Sequence, residues 1–119
     1  MSQNFQPGDF LVFQLEAGFA LLRLLGVDSD GVDKTWHVAA YTDFFADVDS
    51  AEAASADPSK LKVSERHIAL TTRAFESTQV SRIANVPLTD AEIAPLSAWK
   101  AYAGREVSDR SVRLMLGFR

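Results

Sequence analysis

The sequence predicts an α+β fold that is mostly β: a strongly bent five-stranded sheet with a helix near its C-terminal end. Three observations predict it. Five short runs either alternate apolar and polar residues or are apolar on both sides, and turn residues bound them. One later segment instead repeats its apolar residues at three- and four-residue steps. The chain has 119 residues, 47% hydrophobic and 24% charged, which suits one globular domain over 1–119 with a real core.

Pro7-Gly8-Asp9 is a turn signal, because Pro presets φ and Gly permits positive φ. Phe10 to Glu16 follows as a strand, with Leu11, Phe13 and Leu15 on one face and Gln14 and Glu16 on the wet one. Ala17-Gly18 is a tight connection. Phe19 to Val27 is a second strand, apolar on both faces except at Arg23, as a central or curved strand would be. Asp28-Ser29-Asp30-Gly31-Val32-Asp33 reads as the next turn. Lys34 to Thr42 is the third strand, with Trp36, Val38 and Ala40 on one side and His37, Ala39 and Tyr41 on the other.

Residues 43–59 then read as a long acidic loop insertion with room for a short helical turn, closed by Asp57-Pro58. His67 to Thr72 is the fourth strand. Gln79 to Val86 is the fifth, where Val80 and Ile83 break strict alternation and predict a bulge. Residues 89–103 predict a helix. Thr89 and Glu92 have capping-box spacing, and Ile93, Leu96, Trp99 and Ala103 form a stripe. Pro95 must kink this helix or start a new one. The tail, 107–119, alternates like a strand at Val112, Leu114, Leu116 and Phe118. Ser108 and Gly117 would equally cap a short helix. Closing five short strands into an SH3-like barrel is the most economical arrangement, since it leaves few open edges.

Composition excludes several functions. The net charge of −4 and pI of about 5.0 disfavour general nucleic-acid binding, which needs clustered Lys and Arg. With no Cys, there is no disulfide framework, thiolate zinc site or cysteine nucleophile. Neither a signal peptide nor an apolar run of membrane-spanning length is present, so a cytoplasmic protein with no membrane partner is expected. Asp28 to Asp33 only superficially resembles a calcium loop, because Gly26 and His37 fall where an EF-hand needs acids. His37 and His67 are the two imidazoles, 30 residues apart in sequence and without a third ligand at zinc spacing, so no metal is expected. There is no nucleophile elbow, P-loop or dinucleotide glycine motif, hence no catalytic residue and no cofactor is expected.

Charge is distributed unevenly. Residues 1–57 carry ten acids and two bases, net −8, whereas 58–119 carry six acids and ten bases, net +4. The acidic stretch supplies Asp43, Asp47, Asp49, Glu52 and Asp57, beside the aromatic pair Phe44-Phe45. Together these are the candidate surface for a basic protein partner.

The order of pieces resembles a known family. Pro7-Gly8-Asp9-Phe10, the strand ending at Leu15, the Gly18 turn and the strand ending Leu24-Leu25-Gly26 are similar to the opening of the immunity protein 26 family. Arg82-Ile83-Ala84-Asn85-Val86-Pro87-Leu88 looks like that family's later strand and its Pro-Leu exit. The resemblance covers roughly 5–45 and 65–95, and the chain departs from the pattern in its acidic insertion and tail. It implies an immunity protein that neutralises a cognate toxin domain by covering its surface, with no catalytic residues. The competing expectation is an SH3-like module that takes a peptide or ligand in an aromatic groove. Trp36 and Tyr41 lie on opposite faces of one strand, so only one of them can line it. A third is a cryptic enzyme using His37 or His67 as acid–base group. A homodimer through a strand edge or the tail is also open.

Overall fold

Gly8 sets the start of the sheet. Its φ of +95° suits glycine, and a Cβ there would sit 2.6 Å from the Val86 carbonyl oxygen. The close approach lets Gly8 exchange hydrogen bonds with both flanking segments, its N–H donating to Leu24 and its carbonyl accepting from Val86. Asp9 is fully buried beside it, accepting from the Gln6 N–H and the Asn85 amide, both at 2.7 Å.

The computed structural model describes residues 5–30, 33–102, 106–110 and 112. In chain order these form β1 (Asp9–Leu15), β2 (Gly18–Asp30), β3 (Asp33–Phe45), α1 (Val48–Ser55), a 3-10 turn at Pro58–Lys60, β4 (Val63–Thr71), α2 (Thr72–Thr78), β5 (Ser81–Asn85) and α3 (Asp90–Ala101). The five strands make one antiparallel sheet in the order β4-β3-β2-β1-β5. The mostly-β, α+β expectation therefore holds, but the sheet is not closed into a barrel. Among the described residues no ladder joins β4 to β5. Instead α2 carries the chain from one to the other across a sheet face.

That face holds the first apolar cluster. Leu11, Phe13, Leu22, Leu24, Trp36, Val38 and Leu70 point into it, with Phe75 of α2. Trp36 and Phe75 stack with ring centres 4.2 Å apart, and the Trp36 indole N–H donates to the Thr72 hydroxyl. Truncating Phe75 would cost about 3–5 kcal/mol, as buried aromatics do. Val112 is fully buried here too. The rest of 111–119, where strand and helix were both open, lies outside the described residues.

The other face carries two smaller clusters. Phe10, Val12, Leu21 and Tyr41 pack with Ala51 of α1. Leu25 and Ala39 pack with Leu96 of α3. Thus β1 and β2 are covered on both sides.

Several expectations change in detail. Asp28 and Ser29 are strand residues, paired with Thr35 and Lys34, because the β2–β3 ladder runs on to Asp30 and Asp33. The turn itself, Gly31-Val32, lies outside the described residues. The predicted bulge falls at Ile83, which is skipped where Phe10 faces Ala84 and Leu11 faces Arg82. Thr72 opens a helix rather than ending a strand, since the Thr71 hydroxyl accepts from the Ala74 N–H and caps α2. Both arms of the Thr89–Glu92 capping box are made. The α3 helix then runs through Pro95 as a single element. Residue 103 of the predicted helix lies outside the described residues.

The acidic connection is built, not a plain loop. Asp47 caps α1 by accepting from the Ser50 N–H at 2.7 Å, and Pro58 sits at the start of the 3-10 turn.

Candidate functional site

The two outer clusters leave a groove between them. Its floor is Arg23, Leu25, Ala39 and Tyr41, all on the outer face of β2 and β3. One wall is the 3-10 turn and early β4, with Pro58, Leu61 and Val63. The other is the chain entering α3, with Val86, Pro87 and Pro95. The volume is about 480 Å³. Most of the lining is carbon, with a few polar groups converging on it, the usual make-up of a ligand site.

Arg23 fixes the groove floor. It is fully buried, and its guanidinium lies 4.2 Å over the Phe10 ring. Nε donates to the Gly8 carbonyl at 3.1 Å. Nη2 donates to the carbonyls of Val86 and Pro87 at 2.6 and 3.3 Å. Nη1 pairs with Glu92 at 2.8 Å. A buried charge is tolerable only when paired and hydrogen-bonded in this way. Tyr41 lies alongside. Burial pushes its phenol above the ordinary value, although the nearby Arg23 opposes this. The hydroxyl therefore stays protonated at neutral pH.

Of the two aromatic candidates, Tyr41 lines this groove and Trp36 does not. Trp36 is committed to the opposite core, as expected for residues on opposite faces of β3.

A second constellation joins the two histidines. Asp28 Oδ2 lies 2.9 Å from His37 Nε2, and His37 Nδ1 lies 2.9 Å from His67 Nε2. Register explains it. His37 faces Gly26 on β2 and Ala69 on β4, so Asp28 and His67 are its same-face diagonal neighbours. Trp99 of α3 packs edge-on against His37, and Lys100 reaches Asp28 at 3.4 Å. A carboxylate only accepts, so His37 donates through Nε2, accepts through Nδ1, and takes its second bond from the His67 Nε2–H. Burial lowers the basicity of His37, against the pull of Asp28. Burial, with the neighbouring His37 charge, lowers His67 to about 4. Burial alone would raise Asp28, but the His37 bond and the His37 and Lys100 charges bring it below the ordinary carboxylate value. His67 also lines a shallower, more polar cleft with Glu65, Trp99, Glu106 and Ser108. Among the described residues no group of three or more His, Asp or Glu could hold a metal ion.

Three of the acidic candidates accept local hydrogen bonds. Asp43 accepts from the Lys62 N–H, Asp47 caps α1, and Asp57 accepts from Ser59 and pairs with Lys60. Asp49 and Glu52 are exposed on α1 and make no ion pair with a described residue. Phe45 is half-buried against the second cluster, whereas Phe44 is 43% exposed. Of the whole set, only Asp57 also lines the groove.

Of the two sheet edges, that of β4 is partly occupied. Ser108 bridges to Leu70, donating to Ala69 and accepting from Thr71. No helix among the described residues is long and apolar enough to cross a membrane. No family model, curated protein or solved structure matches the chain.

Proposed function

We propose that the protein is a binding module whose outer-face groove receives an apolar ligand. The observation that carries this reading is the groove itself: a mostly apolar hollow whose floor is held by a buried, four-times hydrogen-bonded arginine and a buried tyrosine. A pre-formed floor suits binding, because little must be ordered when a ligand arrives. The antiparallel meander, with β5 returned to the free side of β1, supports an SH3-like relationship for the fold. Amide NMR against a panel of small apolar compounds tests the reading. Shifts confined to Leu25, Ala39, Tyr41 and Val63, lost in Val63→Glu, are expected. Val63 is half-exposed, so that variant keeps the core. Shifts elsewhere, or none, would overturn it.

A second reading is immunity by occlusion of a basic toxin domain. It is supported by the family resemblance and by the exposed Asp49 and Glu52 on α1, with Phe44 and Val48 also exposed. Its mark would be an association rate that falls with salt and with loss of those two charges.

A further inference from the structure

We infer that the ligand of the groove is a small apolar carboxylic acid, and that Arg66 receives its carboxylate. This rests on the groove reading above.

The inference comes from the charges that line the groove. There are four: Arg23, Asp57, Arg66 and Glu92. Three are committed internally. Arg23 is bound by Glu92 and three carbonyls. Glu92 uses its other oxygen to accept from the Thr89 N–H. Asp57 is taken by Ser59 and Lys60. Of the four, only the Arg66 side chain makes neither a hydrogen bond nor an ion pair with a described residue. A slip in the β3–β4 register between Val38 and Ala40 accompanies its position on the groove wall. The groove is thus apolar in its body, internally neutral at its floor, and has one guanidinium to spare at its exposed side.

A ligand complementary to that pattern has an apolar body and one negative end. Guanidinium matches carboxylate with two parallel hydrogen bonds, which fixes orientation as well as adding affinity. The volume of about 480 Å³ lies in the range of small-molecule sites. The protonated Tyr41 hydroxyl supplies a further polar group on the floor. A cationic or zwitterionic ligand would leave Arg66 opposed or only half-answered.

Titration calorimetry with matched pairs tests this: decanoate against decanamide, and indole-3-acetate against indole-3-acetamide, with an acetylated Leu-Leu free acid as a peptide arm. A small acid is expected to bind roughly tenfold more tightly than its amide, the size of one charge-assisted hydrogen bond. Arg66→Gln should remove that preference without changing amide binding or the melting temperature. Arg66 is exposed, so the variant should fold. If acid and amide bind alike and Arg66→Gln changes nothing, the carboxylate inference falls while the groove reading stands. If only the peptide acid binds, the small-molecule assignment falls. If no probe binds and no groove amide shifts, both fall.

Discussion

His37 and His67 share one hydrogen bond, 2.9 Å long, and only one of them can supply its proton. Asp28 forces the answer. By taking the His37 Nε2 proton it leaves His37 an acceptor toward His67, whose Nδ1 is then its unprotonated nitrogen. The chain spans β2, β3 and β4, and Trp99 lies across it, so α3 is seated on neutral imidazoles.

Acid should therefore loosen the fold before its carboxylates titrate. Both histidines are held below the ordinary imidazole value, so the unfolded chain binds more protons as pH falls past about 6.5. Stability is full above that value and declines toward about 4, where His67 itself charges. Urea unfolding at pH 7.5, 6.0 and 4.8 should show midpoints falling in that order. His67→Gln should flatten the decline. An equally steep slope in that variant would assign it to other groups.

Arg23→Met should be among the most damaging single changes. It removes the side-chain donors to the carbonyls of Val86 and Pro87, takes one of two donors from the Gly8 carbonyl, and leaves Glu92 without its charge partner. Breaking a buried pair from one side costs about 3–5 kcal/mol. The low end is expected, because the Glu92 side chain is 26% exposed. Glu92→Gln puts a donor NH2 in place of one of the two accepting oxygens, so it cannot both cap at Thr89 and accept from Arg23. It also leaves the buried guanidinium without a counter-charge. It should cost about 3 kcal/mol, somewhat less than Arg23→Met, which also loses the carbonyl bonds. Chemical denaturation of both variants checks the ranking.

Gly8→Ala meets two obstacles, a φ of +95° and a carbonyl oxygen 2.6 Å from the new Cβ. A loss of more than about 1 kcal/mol is expected, since the native conformation is incompatible with a side chain. Thr89→Ala should cost about 1 kcal/mol through loss of the α3 cap. A neutral Gly8→Ala would mean that β1 and β5 can separate freely at this end.

Acid substitutions on α1 should divide by role. Asp47→Ala removes a helix cap and should lower the melting temperature. The Asp49→Asn, Glu52→Gln double variant should leave melting unchanged. If a basic partner is captured, that double variant should also slow its association at low salt. Stopped-flow rates at two ionic strengths decide it, and an unchanged rate would remove charge steering from the immunity reading.

Strand alternation made much of the fold legible. Leu11, Phe13 and Leu15 could be placed on one face, and Trp36 opposite Tyr41, because a pleated strand has period two whatever its surroundings. The capping box at Thr89 and the irregularity at Ile83 were equally local, and both are present. What could not be read was register. His37 and His67 are 30 residues apart, and their meeting depends on how β4 slides along β3, which no local pattern specifies. Arg23 stood out only as an interruption in an apolar strand, since its counter-charge Glu92 and the Val86 carbonyl lie 69 and 63 residues onward. The α2 helix was missed because seven residues offer too little periodicity. Asp43, Asp47 and Asp57 drew attention as charge, whereas each accepts a local hydrogen bond.

The pairing of β1 with β5 bears on how the chain is made. Asp9 faces Asn85, and the neighbours between which β1 finally lies are β2 and β5. During synthesis β2 follows at once, so the hairpin can form early. The other edge of β1 stays bare until some seventy further residues have emerged. A bare, apolar strand edge is a template for pairing with other chains. The nascent β1 edge is therefore the place where crowding or slow translation would first divert this chain into aggregates. Arg23, waiting on the same late segment for Val86 and Glu92, acts as the latch that marks the end of that interval.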